Sequence, residues 1–528
     1  MKKGFYFIIG MMLITFTSCE KFLTHDHPQS ISDEEFWKTQ TDATNALNTA
    51  YVGIPDGASG RQILFLSAMA DENVSRQGAA RGDYESYVKG LQNGTWGVGL
   101  GIWRDDYKTI RRANRFLENV DNCYMDEELK TRYKYEARAL RAYYHMELLL
   151  FFGGVPLMTN SVVPDASYLK RNTEKEVYDF VLAELTECAG QLPKEYTNAE
   201  IKRITSGVCW ALITRLATFY KHYEVAKNAA KEVIKLDVYA LYKSANVKNS
   251  YADLFLYTGE LNKERIFFRE NGCSGAWSTF APQGVGGKTV LSPTSDMINS
   301  YETKQGKTIY ELGPDSLAIY LKEPKYKNNR DPRLAASVLF PDQTYAALVL
   351  KPFDLNPANN DKIGAQNSTA TGYWQNKYLD PKDKTGTKTL DFMIIRYAEV
   401  LLTYVEALIE TDDFANPDVV KYLNEIRNRA GMPNVNVAVY NTKDKLRELV
   451  RRERRVELAF EGVRYYDIRR WGIFEEVMNG AVTGAIDPLT GIAVPVETQS
   501  AKANRDFLWP IPQLEIQANP GITQNPNY

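Results

Sequence analysis

Three tryptophans lie in glycine-rich stretches of the sequence, where a ligand could reach a flat aromatic face. They are Trp96 in NGTWGVGLG, Trp277 in CSGAWSTFAP and Trp374 in ATGYWQNKY. An indole ring covers the apolar C–H face of a pyranose, while carboxylate, amide and guanidinium groups hydrogen-bond its hydroxyl edge. We therefore predict that these three rings are sugar-binding platforms; the alternative is that each fills a small satellite core.

Polar and apolar residues near these stretches supply the other predicted contacts. Asp71, Arg81 and Tyr84 are predicted as polar or edge contacts, and Phe280 as a secondary apolar contact. Because sugar hydroxyls are already well hydrated, we expect modest affinity, with specificity set by hydrogen-bond geometry. Several weak sites of this kind suit a polymeric ligand.

Sequence motifs of common enzymes are incomplete. The G-K-T triplets at 287–289 and 306–308 have Pro282 and Tyr301 where a phosphate-binding loop needs glycine. A K-T-G triplet at 384–386 has no S-D-N partner motif, so the resemblance to penicillin-recognising enzymes fails. We predict a protein that is not an enzyme; the sequence leaves open a pair of carboxylates at hydrolytic separation.

The charge balance and the numbers of histidines and cysteines argue against nucleic-acid-binding and metal-binding proteins. With 64 Lys+Arg against 66 Asp+Glu, the net charge of −2 argues against nucleic-acid binding. Only four histidines occur, so we predict no metal site and no cofactor. The sequence has no C-x-x-C pair. Cys188 and Cys209 lie in apolar helical contexts that favour buried free thiols. We assign no disulfide among the four cysteines after residue 19, which are Cys123, Cys188, Cys209 and Cys273.

The N-terminal segment has the pattern of a bacterial lipoprotein signal. Two lysines precede a short apolar stretch, and the small residues 17–18 precede Cys19. Cys19 is predicted to be lipidated, although Phe16 stands where this motif usually has leucine. We expect a signal peptide at 1–18, a lipidated tether at 19–31 and a single body at 32–528. Acyl chains on the tether would anchor the protein to the membrane, because each buried methylene contributes about 0.8 kcal/mol.

Helices with long connecting loops must position the predicted contacts. Asp126 and Thr173 are N-cap residues, while Gly153-Gly154 and Gly462 are stop signals. Apolar residues at helical spacing predict helices at 32–53, 104–120, 126–152, 173–192, 205–221, 223–236, 393–410, 417–430 and 442–461.

The helices form a degenerate repeat interrupted by two loop-rich regions. Tyr223, Ala226, Ala230 and Ile234 share one stripe, as in the second helix of a tetratricopeptide repeat, but no regular period emerges. We therefore predict a mainly α, degenerate tetratricopeptide-like helical-repeat scaffold with a few short strands in its insertions. The ligand should bind in the loop-rich regions, at about 54–103 and 237–390, because such long irregular segments usually carry function.

A longer set of segments resembles the SusD/RagB family of outer-membrane nutrient-binding lipoproteins. The segment YEARALRAYYHMELLLFFGGVPLMT at 135–159 matches the signature helix of that family and its Gly-Gly-Val-Pro exit. Further segments agree in order along the chain: NRDPRL at 329–334, IIRYAEVLLTYVEALIE at 394–410, NEIRNRAGMPNV at 424–435 and ERRVELAFEGVRYYDIRRWG at 453–472. In the closing block, Glu453, Glu457 and Glu461 are spaced at i, i+4 beside Arg454, Arg455 and Arg464, which predicts a structural ion network.

The resemblance implies a non-catalytic glycan receptor. It implies a lipid-anchored, surface-exposed protein of the outer membrane that captures oligo- or polysaccharide and delivers it to a TonB-dependent SusC-like transporter. Because the family's glycan contacts lie in variable loops, no contact residue is transferred by the shared motifs. Two alternatives stay open: a binder of a non-carbohydrate nutrient such as peptide, and a surface glycosidase.

Overall fold

The computed structural model describes residues 33–58, 63–75, 81–161, 168–323, 328–386 and 388–528. The predicted signal peptide, Cys19 and the tether lie outside these residues. Within them, no helix combines the length and the apolar character that crossing a membrane requires.

Ten helices of the described residues build the scaffold. They are α1 Gln40–Tyr51, α2 Gly97–Asn119, α3 Glu127–Phe152, α4 Glu174–Gln191, α5 Ser206–Phe219, α6 Tyr223–Lys235, α7 Tyr397–Glu410, α8 Pro417–Arg429, α9 Lys443–Glu457 and α10 Val463–Arg470. Further helices lie at Asp33–Phe36, Arg81–Val88, Ser250–Asp253, Ala276–Phe280, Ser295–Asn299, Pro314–Lys322, Pro332–Ser337, Phe474–Val477, Ala503–Asp506 and Gln513–Ala518.

Short antiparallel strand pairs occupy the insertions. The strands are β1 Asn73–Ser75, β2 Arg265–Arg269, β3 Leu291–Pro293, β4 Val338–Leu339, β5 Thr344–Tyr345, β6 Leu348–Val349, β7 Trp374–Gln375, β8 Phe392–Arg396, β9 Asn479–Ile486 and β10 Ala493–Ser500. They pair as β1–β3, β2–β8, β4–β7, β5–β6 and β9–β10. No larger sheet forms among the described residues, so the strands brace individual loops.

Consecutive scaffold helices pack side by side, which confirms the predicted helical-repeat architecture. Each of the pairs α2–α3, α3–α4, α4–α5 and α5–α6 is in contact, and α7 packs against α6, α8 and α9. Local sequence signals set the helix ends. The Thr173 hydroxyl accepts from the backbone N–H of Glu176 in a capping box, and Gly153 ends α3 at a φ of 74°.

Four of the predicted helices differ from the structure. The segment predicted at 32–53 contains two helices, Asp33–Phe36 and α1, because Thr39 is extended and caps α1, and the helix predicted at 442–461 ends at Glu457. Helix α2 begins at Gly97 and not at 104, because its glycine-rich start still forms helical hydrogen bonds, including Leu100 N–H to the Trp96 carbonyl. Residues 393–396, predicted as the start of a helix, belong to β8, where pairing with β2 places both faces of the strand in the core. An apolar run of this length suits a buried strand as well as a helix, so periodicity alone does not separate them.

The predicted ion network of the closing block is present and buried, but its partners differ from the expected neighbours. Glu457 accepts from Arg396 at 2.7 Å and from Arg333 at 2.9 Å, and both come from distant segments. Arg464, which was expected to pair with the glutamates, instead holds Asp71 through two hydrogen bonds of 2.7 Å. The network therefore ties the insertions to α9.

Similar pairs fix the signature helix α3. Glu136 is buried and accepts from Arg203 at 2.8 Å, whereas Arg138 and Arg141 both donate to Glu184 of α4. The charged residues of this helix therefore secure its packing against neighbouring segments. The four described cysteines are buried free thiols, including Cys188 and Cys209 as predicted.

Candidate functional site

Trp96 lies at the start of α2 inside the main core. Its side chain is 6% exposed, and its indole N–H donates to the backbone carbonyl of Asp83 at 2.9 Å. The ring stacks on Tyr87 with centroids 5.7 Å apart and meets the edge of Trp509 at 4.8 Å. The ring is therefore packed against other aromatic rings and is not available to a ligand.

Trp277 and Phe280 lie on one short helix, Ala276–Phe280, and both are buried. The Trp277 indole N–H donates to the Val285 carbonyl at 3.2 Å, and the ring stacks on Tyr345. Phe280 packs against Phe65 with centroids 5.6 Å apart. Trp277 and Phe280 therefore fill part of the main hydrophobic core.

Trp374 is fully buried in β7, where it packs with Leu339 and Leu350. Gly372, two residues earlier, has a φ of 83° that few other residues adopt, and this turn directs the strand inward. The prediction that Trp96, Trp277 and Trp374 present accessible faces is wrong. Glycine neighbours let the backbone turn each ring into a core, where burying a large aromatic contributes several kcal/mol, about 25 cal/mol per Å².

Tyr84 lines a cavity of about 360 Å³ between the Ile63–Met69 3-10 helix, α2, α3 and α10. Its ring is largely buried and stacks on Phe65 with centroids 4.9 Å apart. Aliphatic side chains form much of the lining, and Arg104 and Asp105 contribute exposed charge. Burial raises the pKa of Asp83, which also lines this cavity. The arrangement suits a ligand with an apolar face and a few hydroxyl groups.

Asp71 is buried and takes part in a chain of ion pairs that runs from Arg464 through Asp71 and Arg455 to Asp296. We call this chain of ion pairs the ladder. Its carboxylate accepts from Arg464 at 2.7 Å and from Arg455 at 2.8 Å. Arg455 also donates to Asp296, whose side chain is 64% exposed. The two guanidinium groups hold the pKa of Asp71 well below its usual range despite burial. Asp71 therefore positions the two arginines. The exposed carboxylate of Asp296 is the end of the ladder that solvent can reach.

The neighbouring carboxyl group behaves in the opposite way. Glu72 is 0% exposed, and burial, followed by the charge of Asp71, raises its pKa to about 8. It accepts a hydrogen bond from the Phe460 backbone N–H. At neutral pH this group carries its proton, but it faces the interior.

Tyr310 is the exposed aromatic residue beside this ladder, and the sequence reasoning missed it. Its side chain is 58% exposed, and its phenol lies within electrostatic range of Asp296 and Arg455. A capping box between Thr308 and Glu311 fixes the short 3-10 turn that carries the ring. The signal was a T-x-x-E box with an aromatic residue inside it.

Arg81 is the first residue of the Arg81–Val88 helix, and its predicted contact lies outside the described side chains. The described residues contain no group of three or more histidine, cysteine, aspartate or glutamate side chains suited to a metal ion. The predicted contacts thus fall in three places. Asp71 belongs to the ladder, Tyr84 to the cavity, and the tryptophans with Phe280 to the cores.

Comparisons with known proteins agree with this architecture. Residues 256–528 match the family model described as the SusD family, and residues 21–220 match one described as starch-binding associating with outer membrane. The chain belongs to the SusD family. SusD-like protein P38 of Formosa agariphila is 26% identical over 99% of this chain and 98% of its own length.

Solved SusD-like structures share the fold. A SusD-like carbohydrate binding protein of Bacteroides fragilis has a TM-score of 0.83 and 28% identity, covering 92% of this chain and all of that one (100%). A laminarin binding SusD-like protein has a TM-score of 0.66 and 24% identity, covering 93% of this chain and 100% of its own. The second likeness shows the fold alone.

Proposed function

We propose that this protein is a non-catalytic glycan-binding lipoprotein of the outer membrane. The observation that carries the proposal is the exposed ring of Tyr310 beside the Asp71–Arg455–Asp296 ladder, on the fold of a family that includes carbohydrate-binding members. An exposed ring next to fixed donors and acceptors has the composition of a sugar site.

Each group has a distinct role in this proposal. Tyr310 covers the apolar face of one sugar ring, and Asp296 accepts from its hydroxyl groups. Arg455 holds Asp296 in place and is itself fixed by the buried carboxylate of Asp71. Because the ladder is assembled before the ligand arrives, little side-chain entropy is lost on binding.

The same geometry supports a receptor without hydrolytic activity. A general acid must carry a proton near neutral pH, yet the arginines keep Asp71 ionised. Glu72 keeps its proton but has no exposed surface through which to meet a glycosidic oxygen. Binding and release of the intact oligomer is therefore the proposed activity.

Delivery to a membrane transporter completes the proposal. The lipobox at Cys19 supports a lipid anchor, and the description of the matching N-terminal family model supports outer-membrane association. We propose surface exposure and a TonB-dependent SusC-like transporter as the partner that receives the glycan. Co-purification of the lipidated protein with a transporter from detergent-solubilised outer membranes would test this step.

The test of glycan binding is an array screen of the chain from residue 32 onward, with every hit followed by calorimetry and a reducing-sugar assay. Tyr310→Ala should weaken binding by up to about tenfold, since a stacked aromatic ring contributes about 0.5–1.5 kcal/mol. Tyr124→Ala is the matched control, because Tyr124 is 92% exposed and belongs to the distant turn after α2. Binding of peptides alone, or release of sugar, would refute the proposal.

The cavity beside Tyr84 is the proposed adjoining contact. Gly101 of α2 lines it, and a Cβ at this position would meet no atom within 4 Å. Gly101→Trp should fill the space and weaken glycan binding, whereas Gly190→Trp, at an exposed and equally open helical glycine of α4, should not. Equal affinities in both variants would remove Tyr84 and this cavity from the site.

Individual alanine substitutions remain the test of the other predicted contacts. Trp96, Trp277, Trp374 and Phe280 are core residues, so their variants should lose stability first. Glycan affinity is therefore compared only at temperatures where circular dichroism shows the variant folded. An unchanged affinity in a folded variant would exclude that residue as a contact.

A further inference from the structure

A second cavity, of about 420 Å³, adjoins the Tyr84 cavity along α2, with Arg104 between the two, and lies next to the C-terminal Gln513–Ala518 helix. Its lining comes from α2, from the segment after α3 and from the C-terminal stretch 515–522. We call it the α2 groove. The described lining includes Trp103, Tyr107, Arg104, Arg111, Tyr168 and Glu515.

One wall of the α2 groove is aromatic and fixed in place. The rings of Trp103 and Tyr107 lie 5.0 Å apart, and the Tyr107 hydroxyl donates to the Pro156 carbonyl at 2.9 Å. At the rim, the side chain of Tyr168 is 65% exposed, which is unusual for a large aromatic residue. The groove therefore has a fixed aromatic wall and one exposed tyrosine ring at its rim.

The charges of the groove are mainly positive. Arg104 and Arg111 are spaced i, i+7 on α2, so they lie on the same helix face two turns apart. Arg104 is bridged to the adjacent Asp105, but both side chains are well exposed, at 66% and 40%, and such a pair contributes little. Among the described residues, no ion pair or hydrogen bond restrains the guanidinium of Arg111.

The acidic counterpart is smaller. Glu515 is the carboxylate of the described lining, and its charge acts on the phenol of Tyr107. Lys108 is also exposed on α2, between the two arginines. A chain with a net charge of −2 thus concentrates positive charge beside an aromatic wall. Arginine forks are well matched to planar carboxylate and to sulfate oxygens.

We propose that the α2 groove binds an acidic sugar residue of the glycan, with Arg104 and Arg111 holding its carboxylate or sulfate and Tyr168 covering its ring. This inference rests on the proposed glycan-binding function and names the chemical class of the ligand. The groove is separate from Tyr310, so the two sites would contact different sugars of one chain. Two weak contacts on one polymer would raise its overall affinity.

The experiment compares matched acidic and neutral oligosaccharides by isothermal titration calorimetry. One pair is an oligogalacturonate and its methyl ester, and a second pair is an oligomer of chondroitin sulfate and its desulfated form. We expect the acidic member of at least one pair to bind at least tenfold more tightly, with affinity falling as salt rises. The pair that shows the preference identifies carboxylate or sulfate as the bound group.

Arginine variants assign the preference to the groove. Arg111→Gln should reduce acidic-oligomer affinity about tenfold, flatten its salt dependence and leave the neutral oligomer unchanged. Arg112→Gln is the control with the same charge change, because Arg112 donates to the Thr49 carbonyl, on the side of α2 that faces α1. We expect less than a twofold effect there.

Three outcomes would overturn the inference, and they are distinguishable from one another. Equal affinity for acidic and neutral oligomers removes the acidic class while the glycan-binding function stands. A preference that Arg111→Gln leaves intact but Tyr310→Ala abolishes assigns it to the other site. No binding of any oligosaccharide, including the array hits, refutes the proposed function together with this inference.

Discussion

Replacing Glu457 by glutamine should lower the free energy of unfolding more than any single surface substitution. The side chain is 0% exposed and accepts from Arg333 at 2.9 Å, from Arg396 at 2.7 Å and from Arg429. These guanidinium groups hold its pKa below the usual range, so the carboxylate is ionised in the folded state. In Glu457→Gln, three buried cations face a neutral amide that adds two more donors.

The expected loss is about 3–5 kcal/mol of unfolding free energy, the usual result of removing one partner of a buried pair. The Coulomb attraction of one ion pair at about 4 Å is worth roughly 4 kcal/mol at an effective dielectric of 20. The cost of removing the charges from water offsets part of the summed attraction of the three pairs. Urea unfolding followed by far-ultraviolet circular dichroism at pH 7 measures the difference. Glu457→Asp, which keeps the charge, should recover part of it.

The control lies on the same helix. Glu448 is 71% exposed and pairs with Arg452 at 3.1 Å, so Glu448→Gln should change stability by less than about 1 kcal/mol. The pH dependence gives a second check. Because the folded pKa of Glu457 is depressed, its contribution is complete above the ordinary value of 4.5 and is lost as the pH falls below it, a loss the variant should not show. Similar urea midpoints for Glu457→Gln and Glu448→Gln would refute the reasoning.

Three further predictions concern the scaffold. A Cβ on Gly154 would lie 2.3 Å from the Asn172 carbonyl oxygen, so Gly154→Ala should destabilise by several kcal/mol, whereas Gly190→Ala should stabilise by up to about 1 kcal/mol; thermal unfolding measures both. Burial lowers the pKa of His145 to about 4, so the unfolded chain binds a proton first and stability should fall between about pH 6.5 and pH 4; a His145→Gln variant with the same fall would contradict this. Burial raises the pKa of the Cys188 thiol to about 12, so mass spectrometry should find it unmodified by iodoacetamide in the native protein at pH 8 and modified in urea.

The sequence predicted the scaffold because its signals are local. The capping box at Thr173 and the glycine at 153 act within one turn of the helix ends that they set, so they are readable without any tertiary contact. The i, i+4 spacing of Glu453, Glu457 and Glu461 in the closing block is also a local signal, and it predicted an ion network. The start of α2 at Gly97 was missed because glycine is a poor helix former, and packing overrode that preference.

The candidate site was only partly predictable. Asp71 was selected from its residue type, but its partners Arg455 and Arg464 are separated from it by most of the chain. Tyr310 has no glycine within two residues and was not predicted, although its ring is exposed beside the ladder. In contrast, Trp374 had the expected neighbours and is fully buried. Glycine content reports backbone freedom, and does not report the direction in which a ring points.

The sequence by itself thus determined most of the helices, the ends that carry capping signals, the presence of an ion network and membership of a family through shared scaffold motifs. Tertiary structure alone decided which charges meet and which rings stay exposed. Helix signals arise from neighbours three or four residues apart, whereas Glu457 meets Arg333 and Arg396 only after distant segments pack together. Burial of a side chain is likewise a property of everything packed around it, so the accessible surface of Tyr310, Tyr168 and Arg111 could be read only from the folded chain.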